Sequence, residues 1–270
     1  MVDQVQIVEA QNGKKADKPK ANGSARQRGR PGDSAEMRCS KSLSWILRHG
    51  AEQEGLVLRP DGYVPLGEVL ARPIMKGVDE FQIRAIVEKD QKSRFGLWEE
   101  SDRLEKGAGG QGQGVWIKAN QGHSLKTVND LSLVDITDPA SLPLVIHGTY
   151  QKHLKQIVQS GGLKRMSRNH IHLSTGLPKG CKNEAGEDQK EVKSGIRSNC
   201  DCFIYIDLPL AMSDGIHFLL SENGVVLTEG LKGQGLLPIK YFEKVTDQQG
   251  EQIELSTVGL AKVILDTSAA

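Results

Sequence analysis

The sequence predicts an α+β protein built from two lobes. The chain has 270 residues, whereas single domains usually have roughly 100–200. Its N-terminal half combines amphipathic helices with a pair of apolar strands, and its C-terminal half contains a series of short apolar strands. A proline- and turn-rich stretch lies between the halves. We therefore expect a first lobe at 38–125, a linker at 126–142 and a second lobe at 143–248.

The composition is that of a globular protein with balanced charge. Hydrophobic residues make up 37%, charged residues 26%, and the net charge is +1, so any attraction for nucleic acid must come from local patches. No apolar run approaches the length of about 18 residues needed to span a bilayer, and the N-terminus lacks a signal-peptide pattern. The four cysteines form no C-x-x-C pair, which predicts free thiols, no metal site and a cytoplasmic or nuclear protein.

Both ends of the chain are predicted to be tails. Residues 1–37 are polar, with seven basic residues against one acid between positions 11 and 31, and we expect them to be disordered. Such a run is either a solvated tail or a nuclear-localisation or RNA-tethering segment. Residues 249–270 are expected to be weakly structured.

The first lobe is expected to open with a helix. Leu43, Ile46 and Leu47 recur at helical spacing, Ser40 is the predicted N-cap, and Gly50 is the predicted C′ residue. The stretch "SWILRHG" therefore places an arginine and a histidine in the last turn of the helix.

The rest of the first lobe is expected to resemble a winged helix. Two apolar runs around Pro60-Asp61-Gly62 predict a hairpin, and "VDEFQIRAIVEKD" predicts a second helix. Its inward residues are predicted to be Phe81, Ile83, Ile86 and Val87. "RFGLWEE" and "GVWIKANQGHS" predict two strands joined by a long glycine-rich connection.

The second lobe is expected to be centred on a sheet. "LPLVIHGTY" predicts a strand, and "QKHLKQIVQSG" predicts a helix that ends at Gly161-Gly162. "HIHLS", "CFIYIDL", "GVVLTEG" and "IKYFEKV" predict further short strands.

Arginines and histidines at the ends of these elements are the main candidates for chemistry. Arg48 and His49 close a helix, where the helix dipole by itself favours cations. Arg94 starts one strand and Arg197 precedes another, and each would ordinarily be a solvated charge. Arginine matches phosphate with a planar fork, so three converging arginines would form a phosphate clamp. A Walker A loop, a nucleophile elbow and a Rossmann glycine motif are all missing from the sequence.

Histidines of the second lobe form another group of candidates. His147 ends an apolar strand and precedes Gly148-Thr149, so it is either a ligand contact or a satisfied core histidine. His172 is expected to share a sheet face with His170 and Ser174 because side chains alternate along a strand. "ANQGHS" either lines a polar cleft or caps the end of the first lobe.

Seven motifs together resemble the RNA 2′-phosphotransferase family, the NAD-dependent enzymes that remove the splice-junction 2′-phosphate from tRNA. The resemblance is collinear from about residue 38 to 247. The motifs are "SKSLSWILRHGAEQEGL", "GYVPLGEVL", "RFGL", "IKANQGHS", "VIHGTYQKHLKQIVQSGGLKRMSRNHIHLS", "SGIRSNCDCFIYIDL" and "NGVVLTEGLKGQGLLPIKYFEKV". One departure is the long, charged segment between His172 and Arg197, which is expected to add a surface loop.

The resemblance implies a winged-helix-like RNA lobe followed by an ADP-ribosyltransferase-like NAD lobe. It also implies that the RNA 2′-phosphate attacks the nicotinamide ribose and expels nicotinamide. The ribose 2″-hydroxyl then attacks the transferred phosphate in the ADP-ribosylated RNA, which releases 2′-hydroxyl RNA and ADP-ribose 1″,2″-cyclic phosphate. No metal is implied.

The same resemblance assigns roles to ten residues. The phosphate-binding, catalytic set comprises Arg48, His49, Arg94 and Arg197. The set implied to contact NAD comprises His147, Gly148, Thr149, Arg168, His172 and Ser174, with Arg168 on the pyrophosphate. The role of His49 stays open between phosphate binding and acid–base catalysis.

Three alternatives remain compatible with the sequence. The first is an ADP-ribosyltransferase that caps terminal phosphates of RNA or DNA. The second is a non-catalytic winged-helix nucleic-acid binder, which would not bind NAD. The third is a histidine-dependent ribonuclease, which would cleave RNA without NAD. A monomer is expected because no long apolar surface helix is left unassigned.

Overall fold

The computed structural model describes residues 27–99, 114–182, 192 and 194–255. Most of the predicted basic tail, the glycine-rich connection, the predicted charged loop and the end of the chain lie outside the described residues. Within the described ranges, no helix is long and apolar enough to cross a membrane.

Helix α1 (Ala35–Trp45) begins earlier than the sequence predicted. Its N-cap is Ser34, whose hydroxyl accepts a hydrogen bond from the Met37 backbone N–H at 3.1 Å. Ser40 therefore lies inside the helix, and the prediction that it is the N-cap was wrong. Both serines precede apolar positions, but only Ser34 has the extended backbone that an N-cap requires.

A π-helical turn at Ile46–Gly50 follows α1 and carries Arg48 and His49. The predicted C′ role of Gly50 was wrong, because the next residue, Ala51, keeps a helical backbone at φ −55°. Gly50 is required for another reason: a Cβ atom there would lie 2.3 Å from the Trp45 ring. π-helical turns are rare and occur often at functional sites.

The remainder of the first lobe is a small sheet packed against short helices. Its elements are β1 (Val64–Pro65), α2 (Leu66–Leu70), α3 (Glu80–Lys89), β2 (Phe95–Glu99) and β3 (Val115–Ala119). The strands are antiparallel in the order β1-β3-β2, with Phe95 opposite Ala119 and Val64 opposite Ile117.

Two predictions for this lobe fail for tertiary reasons. The turn at Pro60-Asp61-Gly62 forms, but the strand after it pairs with β3 instead of forming a hairpin with the preceding run. In α3, Ile83 and Ile86 are buried as expected, whereas the Phe81 side chain is 81% exposed. Phe81 lies on the solvent face because, at about 3.6 residues per turn, it is on the opposite side of the helix from the buried Ile83.

The second lobe contains three small antiparallel sheets. Its elements are β4 (Val134–Asp135), β5 (Ile146–Thr149), α4 (Gln151–Gln159), β6 (Gly162–Lys164), β7 (Ile171–Leu173), β8 (Cys202–Ile206), α5 (Leu208–Ser213), β9 (Leu219–Leu220), β10 (Val226–Thr228), β11 (Leu236–Pro238) and β12 (Phe242–Thr246). The sheets run β4-β9-β10-β7, β12-β8-β5 and β11-β6. A bridge between Ile146 and Ser174 joins the first two.

Separate apolar cores support the two lobes. One cluster is drawn from residues 39–128, and another from residues 145–245 packs beneath the sheets of the second lobe. The predicted α+β class is confirmed. Strand β4 pairs with β9, so part of the predicted linker belongs to a sheet of the second lobe.

Polar contacts fix one lobe against the other. Ser194 Oγ and Asn223 Nδ2, both in the second lobe, donate to the Lys92 carbonyl at 2.8 and 2.9 Å. The nearly buried Lys118 ammonium lies 2.7 Å from a Glu222 carboxylate oxygen. The contacts of Lys92 hold the segment just before β2 against the second lobe, and the Lys118–Glu222 pair does the same for β3. The Lys92 segment forms one wall of the cleft described next.

Candidate active site

A cleft of about 320 Å³ lies between the lobes, and it contains most of the residues singled out in the sequence. Its lining includes Arg48, Arg94, Gly148, Arg168, His172 and Arg197. Arg48 lies in the π-helical turn, Arg94 just before β2, and Gly148 in β5. Arg168 lies in the loop before β7, His172 in β7 itself, and Arg197 in the loop before β8. The structure therefore brings together four arginines that the sequence separates by up to 149 positions (197 − 48).

Arg48 is half-buried, and part of its guanidinium has no partner among the described residues. Its Nε and Nη2 atoms are buried, and neither makes a hydrogen bond within the described part of the chain. Burial, reinforced by the charges of Arg168 and Arg94, lowers its pKa to about 10, so it is still protonated at neutral pH. A buried, unpaired guanidinium is unfavourable unless an anion enters the cleft.

Arg94 is positioned by a tight loop, which we call the Arg94 loop and define as residues 90–94. The Asp90 carboxylate accepts a hydrogen bond from the Arg94 backbone N–H at 2.6 Å and forms an ion pair with the Arg94 guanidinium. Ser93 has a left-handed backbone with φ 44°, and Asn120 Nδ2 donates to its carbonyl at 2.8 Å. The loop conformation is thus held on both sides, which directs the Arg94 side chain into the cleft.

Arg168 and Arg197 differ in how deeply they lie. Arg168 is partly buried, and burial followed by the charge of Arg197 lowers its pKa. Its charge also acts on Arg48, His49 and His172. Arg197 is exposed at the rim. Arg48, Arg94 and Arg168 therefore form an inner cationic cluster, and Arg197, which the resemblance implies as a third phosphate contact, lines the same cleft at its exposed edge.

His49 faces a neighbouring groove next to Arg48. Its Nδ1 lies 2.9 Å from Ser124 Oγ, and the Ser124 backbone N–H donates to the Arg48 carbonyl at 2.9 Å. Burial and the charges of Arg168 and Arg48 lower the pKa of His49 below 6.5, so the neutral imidazole predominates at neutral pH. Ser124 thus orients the ring.

The "ANQGHS" motif contributes to the polar cleft. Gln121 lines the cleft and Ser124 orients His49, whereas His123 is buried and neither ring nitrogen has a hydrogen-bond partner among the described residues. Burial lowers the pKa of His123 to about 3, which keeps it neutral.

Of the β5 residues singled out in the sequence, Gly148 lines the cleft, whereas His147 and Thr149 lie on either side of it in the strand and do not. His147 Nδ1 lies 3.0 Å from the His172 carbonyl, which can only accept, so the ring proton is on Nδ1. Burial lowers the pKa of His147. A Cβ at Gly148 would lie 2.3 Å from Ile196, so packing alone requires glycine there. Thr149 is 8% exposed and its carbonyl accepts from the Asp201 N–H.

His172 and Ser174 have different surroundings. His172 Nε2 is buried without a partner among the described residues, and burial together with Arg168 and Arg48 places its pKa well below 6.5. Ser174 is fully buried, and its hydroxyl is 2.8 Å from the Gly176 carbonyl. Ser174 therefore lies behind the cleft. His170 borders a separate cleft, and its charge still contributes to the lowered pKa of His172.

Several lining residues carried no signal in the sequence. Lys92, Ser194 and Asn223 reach the cleft through the contacts between the lobes, and Lys92 Nζ donates to the Ile196 carbonyl at 3.1 Å. Asn223 was noted only as part of a turn. In the described ranges the four cysteines are free and buried, and no three His, Cys, Asp or Glu side chains are grouped as metal ligands.

Fold and site together describe an α+β protein with a cationic cleft shaped to receive anions between two lobes. A family model described as "RNA 2′-phosphotransferase, Tpt1 / KptA family" matches residues 34–230. The chain belongs to this RNA 2′-phosphotransferase family.

Named relatives agree with this assignment. A putative tRNA 2′-phosphotransferase of Schizosaccharomyces pombe is 41% identical over 78% of this chain and 52% of its own length. The tRNA 2′-phosphotransferase 1 of Homo sapiens is 39% identical over 83% of this chain and 81% of its own. The tRNA 2′-phosphotransferase of Saccharomyces cerevisiae is 35% identical over 79% and 84%. The chain thus spans about half the length of the S. pombe relative.

Proposed function

We propose that the chain catalyses NAD-dependent removal of an internal 2′-phosphate from tRNA, giving 2′-hydroxyl RNA, ADP-ribose 1″,2″-cyclic phosphate and nicotinamide. The observation that carries the proposal is the Arg48 guanidinium beside Arg94 and Arg168, whose buried Nε and Nη2 atoms have no hydrogen-bond partner among the described residues. The names of the relatives support a tRNA 2′-phosphate as substrate. The dependence on NAD rests on the resemblance of the "HGT" and "HLS" motifs.

The residues of the second lobe fit a dinucleotide. His172 Nε2 is buried and has no hydrogen-bond partner in the described part of the chain, and a sugar hydroxyl of a bound ligand would satisfy it. Arg168 and Arg197 supply cations for a pyrophosphate, and the β5 backbone at Gly148 borders the same space. NAD bound there supplies the ribose that accepts the phosphate. Ser174 would act only by supporting this wall.

The inner arginines offset the repulsion between the two anionic groups that must come together in the reaction. The 2′-phosphate and the pyrophosphate are both anions, and they repel each other at reacting distance. Arg48, Arg94 and Arg168 neutralise and orient them in a partly buried cleft, where preorganised cations act more strongly than in water. A phosphate monoester is already an anionic nucleophile, so the first bond formation needs no strong base.

His49 follows Arg48 in the chain and lines the neighbouring groove. Because its pKa lies below 6.5, it is neutral at pH 7 and serves either as a hydrogen-bonding group to the phosphate or as a proton acceptor. Ser124 keeps Nδ1 engaged and leaves Nε2 for the ligand.

The test is incubation of the purified protein with an RNA that carries one internal 2′-phosphate, with and without NAD. We expect NAD-dependent loss of the phosphate together with ADP-ribose cyclic phosphate. A stable ADP-ribosylated RNA as the end product would support a capping transferase instead, and RNA cleavage without NAD would support a ribonuclease. Folded protein that binds RNA but leaves both substrates unchanged would contradict the proposal and favour a non-catalytic nucleic-acid binder.

A further inference from the structure

A second, open groove of about 770 Å³ lies in the first lobe and shares Arg48 and Arg94 with the cleft. Its basic lining residues are Arg28, Lys41, Arg48, His49, Lys89 and Arg94, against Glu36 and Asp90. The groove therefore extends the positive charge of the clamp away from the second lobe, along the surface of α1.

Two of these cations are already paired. Lys41 Nζ lies 2.6 Å from an Asp33 carboxylate oxygen, and Arg94 pairs with Asp90. Arg28 differs, since within the described residues its guanidinium has no carboxylate partner. It is exposed and close enough to His49 for its charge to contribute to the lowered pKa of that imidazole.

Arg28 is held in a defined place. Its guanidinium carbon lies 3.8 Å from the centre of the Trp45 ring, and its backbone N–H donates to Ser42 Oγ at 2.8 Å. Trp45 is fixed in turn because it packs over Gly50, where no Cβ would fit. An arginine stacked on an aromatic face still presents its N–H edge to a phosphate. Arg28 lies outside the residues that match the family model, which begin at residue 34.

We propose that Arg28, stacked on Trp45, binds a backbone phosphate of the RNA strand next to the nucleotide that carries the 2′-phosphate. The inference rests on the proposed function, which places the 2′-phosphate at Arg48 and Arg94. From that point the strand continues into the groove, where the excess of positive charge matches an RNA backbone. Arg28 is the binding residue, and Trp45 is a positioning residue that acts through it.

The experiment measures the affinity of the full chain for a 2′-phosphorylated single-stranded RNA without NAD, so that no turnover occurs, at several salt concentrations. We expect Arg28→Ala to weaken binding about fivefold. It should also reduce the slope of log affinity against log salt by about 0.7, which is the value for one phosphate contact to a single strand. Arg30→Ala is the matched control, because it removes an equal charge from an exposed residue outside the groove and should change neither quantity.

Further variants test whether the effect of Arg28 depends on its stacking on Trp45 and its planar guanidinium, or only on its positive charge. Arg28→Lys keeps the charge but loses the planar fork, so its affinity should lie between wild type and Arg28→Ala. Trp45→Leu should reproduce the loss of Arg28→Ala and add nothing to it in the double variant, whereas Trp45→Tyr should retain affinity. A 2′-phosphorylated mononucleoside, which has no neighbouring phosphate, should bind wild type and Arg28→Ala equally.

The outcomes distinguish this inference from the proposed function. Unchanged affinity and salt slope in Arg28→Ala, or an equal loss in Arg30→Ala, would overturn the Arg28 site even if the protein removes 2′-phosphates. An Arg28-dependent affinity in a protein that does not consume NAD would support the site and contradict the proposed reaction. If Trp45→Leu fails to fold, as judged by circular dichroism, the Arg28 variants alone decide whether Arg28 binds the RNA.

Discussion

Replacing Arg48 by methionine should abolish activity and at the same time stabilise the fold. Methionine has a similar length but no charge, so Arg48→Met removes from the cleft a guanidinium whose Nε and Nη2 have no partner among the described residues. If Arg48 contributes to the phosphate clamp, the rate should fall by about 10³-fold or more, which is the scale for an arginine acting on phosphoryl charge. A cation retained at a cost to stability is what a ligand-binding role predicts.

The size of the stabilisation follows from the pKa. Burial and neighbouring arginines lower the pKa of Arg48 from 12.5 to about 10. At about 1.4 kcal/mol per pH unit this corresponds to about 3 kcal/mol by which folding disfavours the charged side chain. Part of that cost is relieved by solvent at the cleft, so we expect Arg48→Met to raise the free energy of unfolding by about 1–2 kcal/mol.

Urea unfolding followed by tryptophan fluorescence is a suitable assay, because Trp45, Trp98 and Trp116 all belong to the first lobe. With a slope of about 1–3 kcal/mol per molar urea, the midpoint should rise by roughly 0.3–2 M. Inorganic phosphate should raise the midpoint of wild type but not of Arg48→Met, because ligands stabilise only the state that binds them.

The control is Arg84→Met, which removes an exposed arginine paired with Glu80 and Glu99 at 2.8 Å. It should leave activity unchanged and alter stability by less than about 1 kcal/mol. The reasoning would be refuted if Arg48→Met lowered the urea midpoint, or if it kept activity within tenfold of wild type.

Three further predictions concern positioning and pH. Asn223→Ala removes a hydrogen bond that holds the Arg94 loop, so kcat with 2′-phosphorylated RNA should fall about tenfold while the KM for NAD changes little. Ser124→Ala removes the hydroxyl that holds the ring of His49. In wild type, activity that requires the neutral imidazole should decline below pH 6.5. The variant should change the pH at which this acid limb of the pH–activity profile occurs. The pKa of His123 is about 3 in the folded state and about 6.5 in the unfolded state. The free energy of unfolding should therefore fall as the pH drops from 6.5 towards 3, because only the unfolded state gains a proton at His123. His123→Leu should flatten that fall.

Each of these has its own control. Asn199→Ala removes an exposed hydrogen bond to Tyr150 and should leave kinetics unchanged; equal effects of Asn199→Ala and Asn223→Ala would argue against the role of the Arg94 loop. An unshifted acid limb in Ser124→Ala would separate His49 from the pH dependence. His217→Leu is the matched histidine control for His123→Leu, and equal flattening by both would contradict the assignment.

Sequence periodicity was sufficient for most elements of the second lobe. β5, α4, β7, β8 and β12 form where apolar runs or amphipathic spacing predicted them, because each buries apolar side chains in one of the two apolar clusters of the second lobe. Local patterns were less informative near α1 and α3. Ser34 and Ser40 are equivalent as sequence, and only the backbone of the folded chain makes Ser34 the N-cap. The exposure of Phe81 likewise depends on which face of α3 packs against the core, and that face carries Ile83 and Ile86.

By itself, the sequence determined the α+β class, the family resemblance and the inventory of arginines and histidines available for phosphate chemistry. Only the tertiary structure decided their depth. It placed Arg168 inside with Arg48 and Arg94, left Arg197 at the rim, and buried Ser174 behind the wall. The physical reason is that burial, and with it desolvation and charge repulsion, depends on neighbours that are distant along the chain. The Lys92 carbonyl, for example, is held by Ser194 and Asn223, 102 and 131 residues away.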